Sequence, residues 1–431
     1  MGMRAWSLPV AISVVVGVGL VGPKAVSASR ATTVLVSVGL HGAEPDSSSS
    51  WPSVSRDGRY VAFSSYASNL VAGDTNSQSD IFVRDLQLGT TKRVSVSSGR
   101  AQANGSSFMP AISADGTVVA FQSYATNLVA GDVEGYADIF VHNLTSGHTV
   151  RASVAPGGGG ADSDSLQPAI SADGHVVAFA SQADNLVSQP VNITGLCCDI
   201  FARNLSTSRT TLVDHMLDGQ GSADSFFPAL SSDGRYVAFG SWGCDMVKGI
   251  PCEDESNVFR FDSTSGNLRL ITRLPSGGEA AGCGEDPAIS ADGTSIAFVS
   301  DGGNLVPGDY NSAYDAFVRD ITTGTTTRVS VTSKGAQTNG AEGRVTVSDD
   351  GQRIAFQSDA WNIVPGDTNQ VQDIFVHDMQ SHKTFRVSLT APGGQQPNFS
   401  SNGAISGDGT EVAYESEDAS FNNVILARII S

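Results

Sequence analysis

Acidic and amide side chains recur at intervals of two and four residues along the chain, in a pattern that could bind a divalent cation. In the stretch GDTNSQSDIFVRD the oxygen-bearing side chains belong to Asp74, Asn76 and Asp80. Carboxylate and amide oxygens at alternate positions of a glycine-initiated loop suit Ca²⁺, which takes six to eight oxygen ligands. The sequence therefore predicts calcium as a possible cofactor.

The same spacing returns in other parts of the chain. The predicted ligands are Asp74, Asn76 and Asp80; Asp309, Asn311 and Asp315; and Asp367, Asn369 and Asp373. A related copy has Asp132, Glu134 and Asp138. Gly-Asp-x-Asn is also turn chemistry, because Asp and Asn side chains bond to backbone amides two residues on. Asp199 precedes a strand without the Gly-Asp-x-Asn part, which favours a structural role for the last Asp, and both interpretations stay open.

These loops belong to a repeat that fills the chain. Ser-x-Asp-Gly recurs seven times at a period of 58 to 60 residues, with Asp at 57, 115, 173, 233, 292, 350 and 408. Each copy has four strand-like segments, which in the second copy are PAIS, TVVAFQS, DIFVHNL and TVRASV. An Asp-Gly between two apolar runs is a strong hairpin signal, and four strands per repeat describe a propeller blade. Phenylalanines at matching positions of the second and third strands are expected to pack blade against blade.

The two chain ends support the same architecture. The seventh copy stops before a fourth strand, whereas TTVLVSV, Thr32 to Val38, matches the fourth-strand segments of other copies. The N-terminal strand should therefore complete the last blade and remove a free sheet edge. The predicted fold class is all-β, a seven-bladed β-propeller of four-stranded blades that forms one domain over residues 29–431.

The repeat also carries a resemblance to a known family. SADGTVVAFQS, DIFVRDL and the TTxRVSV pattern resemble the WD40-like repeat of the TolB-type propeller family, over residues 29 to 431. The resemblance implies the propeller alone. TolB has an additional α/β domain for which we find no room, and its six blades differ from seven, so no transport role is implied. Prolyl-oligopeptidase-type enzymes also carry propellers, but we find no hydrolase domain.

Targeting and charge limit the function classes. Residues 1–28 have an early cation, an apolar run and small residues before Ala28, as expected of a signal peptide, so we expect a secreted or periplasmic protein. Cleavage would change the net charge from −19 to −21, since Arg4 and Lys24 are lost with no acid. Such an acidic chain should repel nucleic acid and anionic membranes. We expect no membrane insertion after cleavage, and a monomer.

All five cysteines fall in long loops of three consecutive blades. In an exported protein this favours disulfides that pin irregular loops. Cys244 with Cys252 is the first predicted pair, and Cys283 with Cys197 or Cys198 is the second. A zinc site lacks the usual paired C-x-x-C spacing.

The sequence favours binding over catalysis. It has no G-x-S-x-G elbow, H-E-x-x-H or Walker loop, and its seven histidines scatter. His142 and His377 take the strand position of Arg84, so we expect them to be exposed. Aromatic residues in the loops could stack on sugars, bury peptide side chains or simply cover blade junctions; they are Trp51, Phe108, Phe226, Phe227, Trp242, Tyr310, Tyr314 and Trp361.

The sequence therefore predicts an exported, non-enzymatic binding or scaffold propeller that recognises protein, peptide or glycan through its long-loop face. The alternative is a propeller enzyme of the lactonase or polysaccharide lyase type that uses a divalent metal.

Overall fold

Seven four-stranded antiparallel sheets form a ring in the computed structural model, which describes residues 32–188, 198–217, 219, 224–243, 246–248, 255–274, 278, 280–390, 393–417 and 421–429. Six of the sheets are meanders whose four strands follow one another in the chain, and the seventh takes its outer strand from the N-terminal end. We call them the inner, second, third and outer strands of a blade. The predicted seven-bladed β-propeller is confirmed.

The blades have closely similar bounds. Blade 1 comprises Ser49–Val54, Tyr60–Ser65, Asp80–Asp85 and Thr90–Arg93, and blade 2 comprises Ser107–Ile112, Val118–Ser123, Asp138–Asn143 and Thr149–Arg151. Blade 3 comprises Ser165–Ile170, Val176–Ser181, Asp199–Asn204 and Arg209–Leu212, and blade 4 comprises Ser225–Leu230, Tyr236–Ser241, Asn257–Asp262 and Asn267–Leu270. Blade 5 comprises Gly284–Ile289, Ser295–Ser300, Asp315–Asp320 and Thr325–Arg328, and blade 6 comprises Glu342–Val347, Arg353–Ser358, Asp373–Asp378 and Lys383–Arg386.

Blade 7 closes the ring with strands from both ends of the chain. Its first three strands are Ser400–Ile405, Glu411–Glu417 and Asn422–Arg428, and its outer strand is the N-terminal Thr32–Leu35. Thr32 pairs with Arg428 and Leu35 with Ile425 in an antiparallel register. The predicted closure is confirmed. A short 3-10 helix, Leu40–Gly42, and a small hairpin of Leu389–Thr390 with Gly394–Gln395 lie between blades.

The Asp-Gly turns show why Ser-x-Asp-Gly repeats. In blade 1 the Ser55 hydroxyl donates to Asp57 Oδ1 at 2.8 Å and accepts from the Tyr60 amide at 2.9 Å. Gly58 has a φ of +70°, and the other six turn glycines are also left-handed. A side chain is strained in this conformation. The serine, aspartate and glycine thus fix one tight turn on one face of every blade.

The blade cores are built from the predicted phenylalanines. Phe63 pairs directly with Phe82 across the second and third strands, with ring centroids 5.9 Å apart. The corresponding pairs in blades 2 to 6 have separations of 5.7–6.0 Å. Phe121 and Phe140 of blade 2 pack against Ile81 and Val83 of blade 1. The predicted blade-to-blade packing is confirmed.

Two faces result from this arrangement. Val54 and Val61 pair beside the short Asp-Gly turn of blade 1, whereas Ser49 pairs with Ser65, from which the long loop of residues 66–79 leaves. The long loops and the connections between blades therefore share one face. No helix of the described residues is long and apolar enough to span a bilayer. Residues 1–28, the predicted signal peptide, lie outside the described residues.

Candidate functional site

The predicted calcium loop of blade 1 surrounds an arginine from the outer strand. Arg93 Nη1 lies 3.2 Å from Asp74 Oδ1 and 3.4 Å from Asp80 Oδ2. Gln102 Nε2 donates to Asp74 Oδ1 at 2.9 Å, and Asn76 Nδ2 donates to Asp80 Oδ2 at 3.0 Å. The carboxylate oxygens therefore already face a guanidinium and two amide N–H groups.

This arrangement recurs wherever the loop carries the first acid. The corresponding groups are Arg151 with Asp132 and Asp138, Arg328 with Asp309 and Asp315, and Arg386 with Asp367 and Asp373, at 3.0–3.5 Å. Blades 3, 4 and 7 lack the Gly-Asp-x-Asn segment, and there the strand register puts Leu212, Leu270 and Leu35 in the place of arginine. The loop aspartate and the outer-strand arginine thus occur together within one chain.

The last aspartate of each loop also has a structural role. Asp80 is fully buried, and its Oδ1 accepts a hydrogen bond from Ser95 Oγ at 2.5 Å. The amide of Asn76 serves the turn as well, because its Oδ1 accepts from the Gln78 backbone N–H at 3.0 Å. Burial raises the pKa of Asp74 and of Asp80 although Arg93 opposes the shift. These contacts match the turn interpretation of the loop.

The nine residues predicted to bind calcium are thus brought together three by three, with an arginine at each group. Among the residues that the structure describes, no group of three or more His, Cys, Asp or Glu side chains is placed to hold a metal ion. Sequence reasoning missed the arginine, although its signal is present: the outer strand ends in Arg in the same four blades that have the loop acid and in Leu in the other three. Calcium binding stays a prediction.

The second predicted disulfide stays a prediction. Cys283 is a free thiol here, within hydrogen-bonding reach of the Tyr314 hydroxyl, and Cys197, one of its two predicted partners, lies outside the described residues. Cys198 is buried at the start of the third strand of blade 3. Cys197, Cys244 and Cys252 lie outside the described residues, and so does the first predicted pair.

The histidines of the third strands are buried and not exposed as predicted. His142 and His377 expose 7% and 3% of their surface. Each ring bonds through Nδ1 to a threonine hydroxyl of the outer strand, Thr149 at 2.8 Å and Thr384 at 2.9 Å. Burial lowers the pKa of each to about 4. These neutral, satisfied side chains belong to the blade framework, because the outer strand covers the position that sequence alone left open.

The inner strands carry a different feature, a bulge at the same position in every blade. The register shifts between Ser50 and Ser53 in blade 1 and at the corresponding place in the others. The residues at this position form what we call the bulge ring: Trp51, Met109, Gln167, Phe227, Asp286, Arg344 and Asn402. All but Arg344 have positive φ, between 47° and 55°. Such conformations are costly for bulky residues and cluster at functional sites.

The bulge ring lines a cavity in the central channel. The cavity has a volume of about 420 Å³ and is lined by the inner strands of all seven blades. The bulges lie in the half of each inner strand nearer the long loops, so the ring faces the channel mouth on the long-loop face. Seven different side chains meet there, although the surrounding framework repeats almost unchanged.

Side chains of neighbouring blades hold the bulges in place. Glu415 Oε1 of blade 7 accepts from the Trp51 N–H at 2.7 Å, and Gln122 of blade 2 accepts from the Gln167 N–H at 2.9 Å. Gln357 accepts likewise from Asn402 at 3.0 Å. The strained backbone is therefore supported by hydrogen bonds across blade boundaries, which pre-organises the ring.

The one cation of the bulge ring lies close to an aromatic side chain. The guanidinium carbon of Arg344 is 5.3 Å from the centre of the Trp51 ring, a separation at which cation–π attraction acts. Arg344 has no hydrogen bond or ion pair with the described residues. Burial raises the pKa of Asp286 and Glu415, and the positive charge of Arg344 opposes both shifts. The cavity thus holds charge at a site with reduced access to water.

A second ring lies above the first. We call it the rim ring. Its members directly follow the second strands in blades 1 to 6 and end the second strand in blade 7; they are Tyr66, Tyr124, Gln182, Trp242, Asp301, Asp359 and Glu417. In six blades the backbone N–H donates to a carbonyl just before the inner strand, as Tyr66 does to Ser48 at 3.0 Å. Tyr66, Tyr124 and Trp242 expose 51%, 44% and 43% of their surface. The rim ring therefore places exposed aromatic surface beside the mouth.

The predicted loop aromatics divide between the mouth and other places. Trp51, Phe227 and Trp242 belong to the two rings, and Phe108 contacts Tyr66 with ring centroids 6.2 Å apart. Phe226 packs edge-on against Phe227. Tyr310 and Trp361 are exposed elsewhere in the loops, and Tyr314 is half-buried. Sequence reasoning missed Met109, Gln167, Asp286, Arg344 and Asn402, which aligned repeats would reveal as the variable position two residues after the conserved start of the inner strand.

Comparisons with known proteins agree on the fold. No family model matches the sequence, and neither does any curated protein. An oligogalacturonate lyase in complex with manganese has a TM-score of 0.56 at 12% identity, covering 93% of this chain and 98% of that chain. The uncomplexed acylaminoacyl peptidase of Pyrococcus horikoshii has a TM-score of 0.54 at 11% identity, covering 89% of this chain and 52% of its own. TolB from Acinetobacter baumannii has a TM-score of 0.38 at 13% identity, covering 81% and 76%.

These likenesses are of fold alone. The chain has the propeller fold that the repeat predicted, and no specific family follows from the comparisons. At such low identities the function has to be argued from the residues of the site.

Proposed function

We propose that this protein is a non-enzymatic binding propeller whose ligand, a protein, peptide or glycan, docks at the channel mouth on the long-loop face. The observation that carries the proposal is the bulge ring. Seven equivalent positions hold seven different amino acids, whereas the framework around them repeats. Positions that stabilise the blades are expected to hold the same residue type in every repeat. Positions that contact a ligand are free to differ between repeats.

Shape and strain support the same site. Ligand sites are concave, largely pre-formed and lined by aromatic groups with a few convergent polar groups. The mouth has a cavity of about 420 Å³, aromatic side chains at Trp51 and Phe227, and polar groups at Gln167 and Asn402. Left-handed conformations at six non-glycine bulges persist only where the surroundings enforce them. A regular β-strand does not require left-handed residues, so these conformations are better explained by a ligand-binding site.

We propose that the protein acts outside the cytoplasm. The support is the signal-like sequence of residues 1–28 and the acidic composition. The metal-dependent enzyme alternative has less support at the mouth, because the described residues that line the cavity include no histidine.

The experiment compares the native protein with two variants on a peptide array and a glycan array. Trp242→Ala removes an exposed aromatic of the rim ring. Leu88→Ala removes an apolar side chain that is 67% exposed in a turn after a third strand, on the opposite face. We expect Trp242→Ala to weaken binding of the captured probe by about tenfold, the scale of one lost aromatic contact, and Leu88→Ala to leave it unchanged. Binding that is insensitive to Trp242→Ala, or that depends on Leu88, would contradict the proposal.

A further inference from the structure

We infer that the ligand is a polypeptide segment that presents an apolar or aromatic side chain beside a lysine or arginine. This inference rests on the proposed function and names the ligand class of the same site. It is carried by an asymmetry of the mouth, which is aromatic on one side and acidic on the other.

Both rings divide along the same line. In blades 1 to 4 the bulge ring holds Trp51, Met109, Gln167 and Phe227, and the rim ring holds Tyr66, Tyr124, Gln182 and Trp242. None of these side chains carries a charge at neutral pH. In blades 5 to 7 the bulge ring holds Asp286, Arg344 and Asn402, and the rim ring holds Asp301, Asp359 and Glu417. In both rings the side chains are uncharged in blades 1 to 4 and mostly charged in blades 5 to 7. The mouth therefore has an uncharged half and an acidic half.

The acidic half has more carboxylates than cations. Glu285 and Glu415 lie beside the ring positions and add to Asp286, Asp301, Asp359 and Glu417, against which Arg344 is the one cation among the ring positions and these neighbours. Asp301 Oδ1 is buried and has no hydrogen-bond partner among the described residues. Burial raises the pKa of Glu285, as it does that of Asp286. A ligand cation would stabilise these desolvated carboxylates.

The aromatic half offers a matching apolar surface. Tyr66 lies against Phe108, and Phe226 against Phe227, so that the exposed rings form pairs around the mouth. Exposed aromatic surface of this kind buries apolar side chains and attracts cations through ring faces. The apolar part of the ligand should therefore lie over blades 1 to 4.

The separation of the two halves favours a polypeptide over a glycan. A neutral sugar polymer can donate hydroxyl hydrogen bonds to carboxylates, but it carries no cation to offset their charge. An amino-sugar polymer carries an ammonium on every unit, and would place as many cations on the aromatic half as on the acidic half. A polypeptide can place one apolar and one basic side chain at separate positions, which matches the charge complementarity of the mouth.

Removing the charge of Arg344 should change the affinity in opposite directions for a cationic ligand and for an anionic ligand. It already lies near Asp286 and Glu415 and, as a cation, opposes a second positive charge. Arg344→Gln removes that charge and keeps a polar side chain of similar length. A cationic ligand should then bind more tightly, because the mouth becomes more negative; a ligand held through its own carboxylate should bind more weakly.

The test uses labelled peptides of equal length with alternating Trp and Lys, Ser and Lys, or Trp and Glu, together with neutral glucan and amino-sugar oligomers. Fluorescence anisotropy measures their affinity for the native protein. We expect the Trp–Lys peptide to bind at least about tenfold more tightly than every other probe, and added salt to weaken it. A preference for either oligomer or for the Trp–Glu peptide would overturn the inference.

Three variants complete the design. Asp286→Asn should weaken the Trp–Lys peptide by about tenfold, the scale of one close charge pair, and Arg344→Gln should strengthen it severalfold. Glu44→Gln makes the same charge change at an exposed residue that does not line the cavity, and should have no effect. Melting curves confirm that each variant folds.

The outcomes separate this inference from the proposed function. If a glucan oligomer binds and Trp242→Ala weakens it, the ligand class is wrong and the binding function stands. If no probe depends on Trp242 or Asp286, both fail.

Discussion

At the scale of single residues, the acidic loops are explained by the arginines that they enclose. Two buried carboxylates near Arg93 would repel each other and lose hydration, and the guanidinium offsets both effects. In blades with leucine at that position, the loop aspartate is also gone. Charge and counter-charge are therefore kept or lost together, which the spacing of the acids alone could not show.

The first prediction removes one such arginine. Arg93→Leu leaves Asp74 and Asp80 buried without their cation, so we expect the free energy of unfolding to fall by about 3 kcal/mol. Adding Asp74→Asn should restore part of the loss. Arg56→Leu is the control, because the Arg56 side chain is 61% exposed in its ion pair with Asp349 and should cost less than about 1 kcal/mol. Equal losses for both arginines in urea denaturation would refute this account.

A calcium titration tests the same loops directly. Because Arg93 and its three counterparts already face the predicted ligands, we expect the melting temperature to stay unchanged when Ca²⁺, Mg²⁺ or EDTA is added. A calcium-dependent rise that EDTA reverses would instead support the calcium prediction, and its loss in an Asp74→Asn, Asp309→Asn or Asp367→Asn variant would show which blade binds the ion.

Blade 3 provides a second test at this scale. Asp214 takes the place of Ser95, whose hydroxyl bonds to Asp80 in blade 1. Asp214 is fully buried, and burial together with the charge of Asp199 raises its pKa well above the usual range. The folded state therefore holds a proton that the unfolded state releases near pH 4. Stability from this group is lost as pH rises from that value towards the folded pKa.

Asp214→Ser should accordingly stabilise the protein by at least about 1 kcal/mol at pH 7, and by less at pH 4. The reverse change, Ser95→Asp in blade 1, should destabilise it at pH 7. Urea denaturation at the two pH values measures both. A gain from Asp214→Ser that does not depend on pH would show that its charge is irrelevant.

At the scale of elements, the Asp-Gly turns join conformation to blade packing. Gly116 and Gly147 both have a φ of +72°. A Cβ at Gly116 would clash with the Tyr60 ring of blade 1, whereas one at Gly147 would meet nothing within 4 Å. The two glycines therefore differ only in what lies beside them.

Substitution by alanine should separate strain from packing. Gly147→Ala should cost about 1 kcal/mol for the left-handed conformation alone, and Gly116→Ala about 3 kcal/mol because overpacking is added. Thermal or urea denaturation measures the difference. Equal costs would mean that the Asp-Gly turn does not contribute to the contact between blades 1 and 2.

The strands and turns could be predicted because their motifs repeat in every blade. The site could not be predicted because its residue type differs from blade to blade. Seven Ser-x-Asp-Gly turns, the paired phenylalanines and the N-terminal strand each had a sequence signal. The bulge positions had none in a single blade, since a left-handed Trp51 or Phe227 depends on hydrogen bonds from other blades. Burial of His142 under the outer strand likewise depends on tertiary packing.

At the scale of the whole molecule, the propeller brings the residues that differ between repeats together on one surface. Rotation about the channel brings one residue from each blade to the same depth, so that seven positions spread over more than 350 residues meet at one mouth. The opposite face has the short Asp-Gly turns. The central claim is that ligand binds at the mouth and nowhere else on this ring.

Hydrogen–deuterium exchange with and without the bound Trp–Lys peptide tests that claim most directly. We predict slower exchange in the inner-strand segments 49–52, 225–228 and 284–287 and in the rim residues that follow the second strands. The Asp-Gly turns at residues 57–58, 115–116 and 292–293 should exchange at unchanged rates. Protection of the turn face, with unchanged exchange at the inner-strand segments, would contradict the claim.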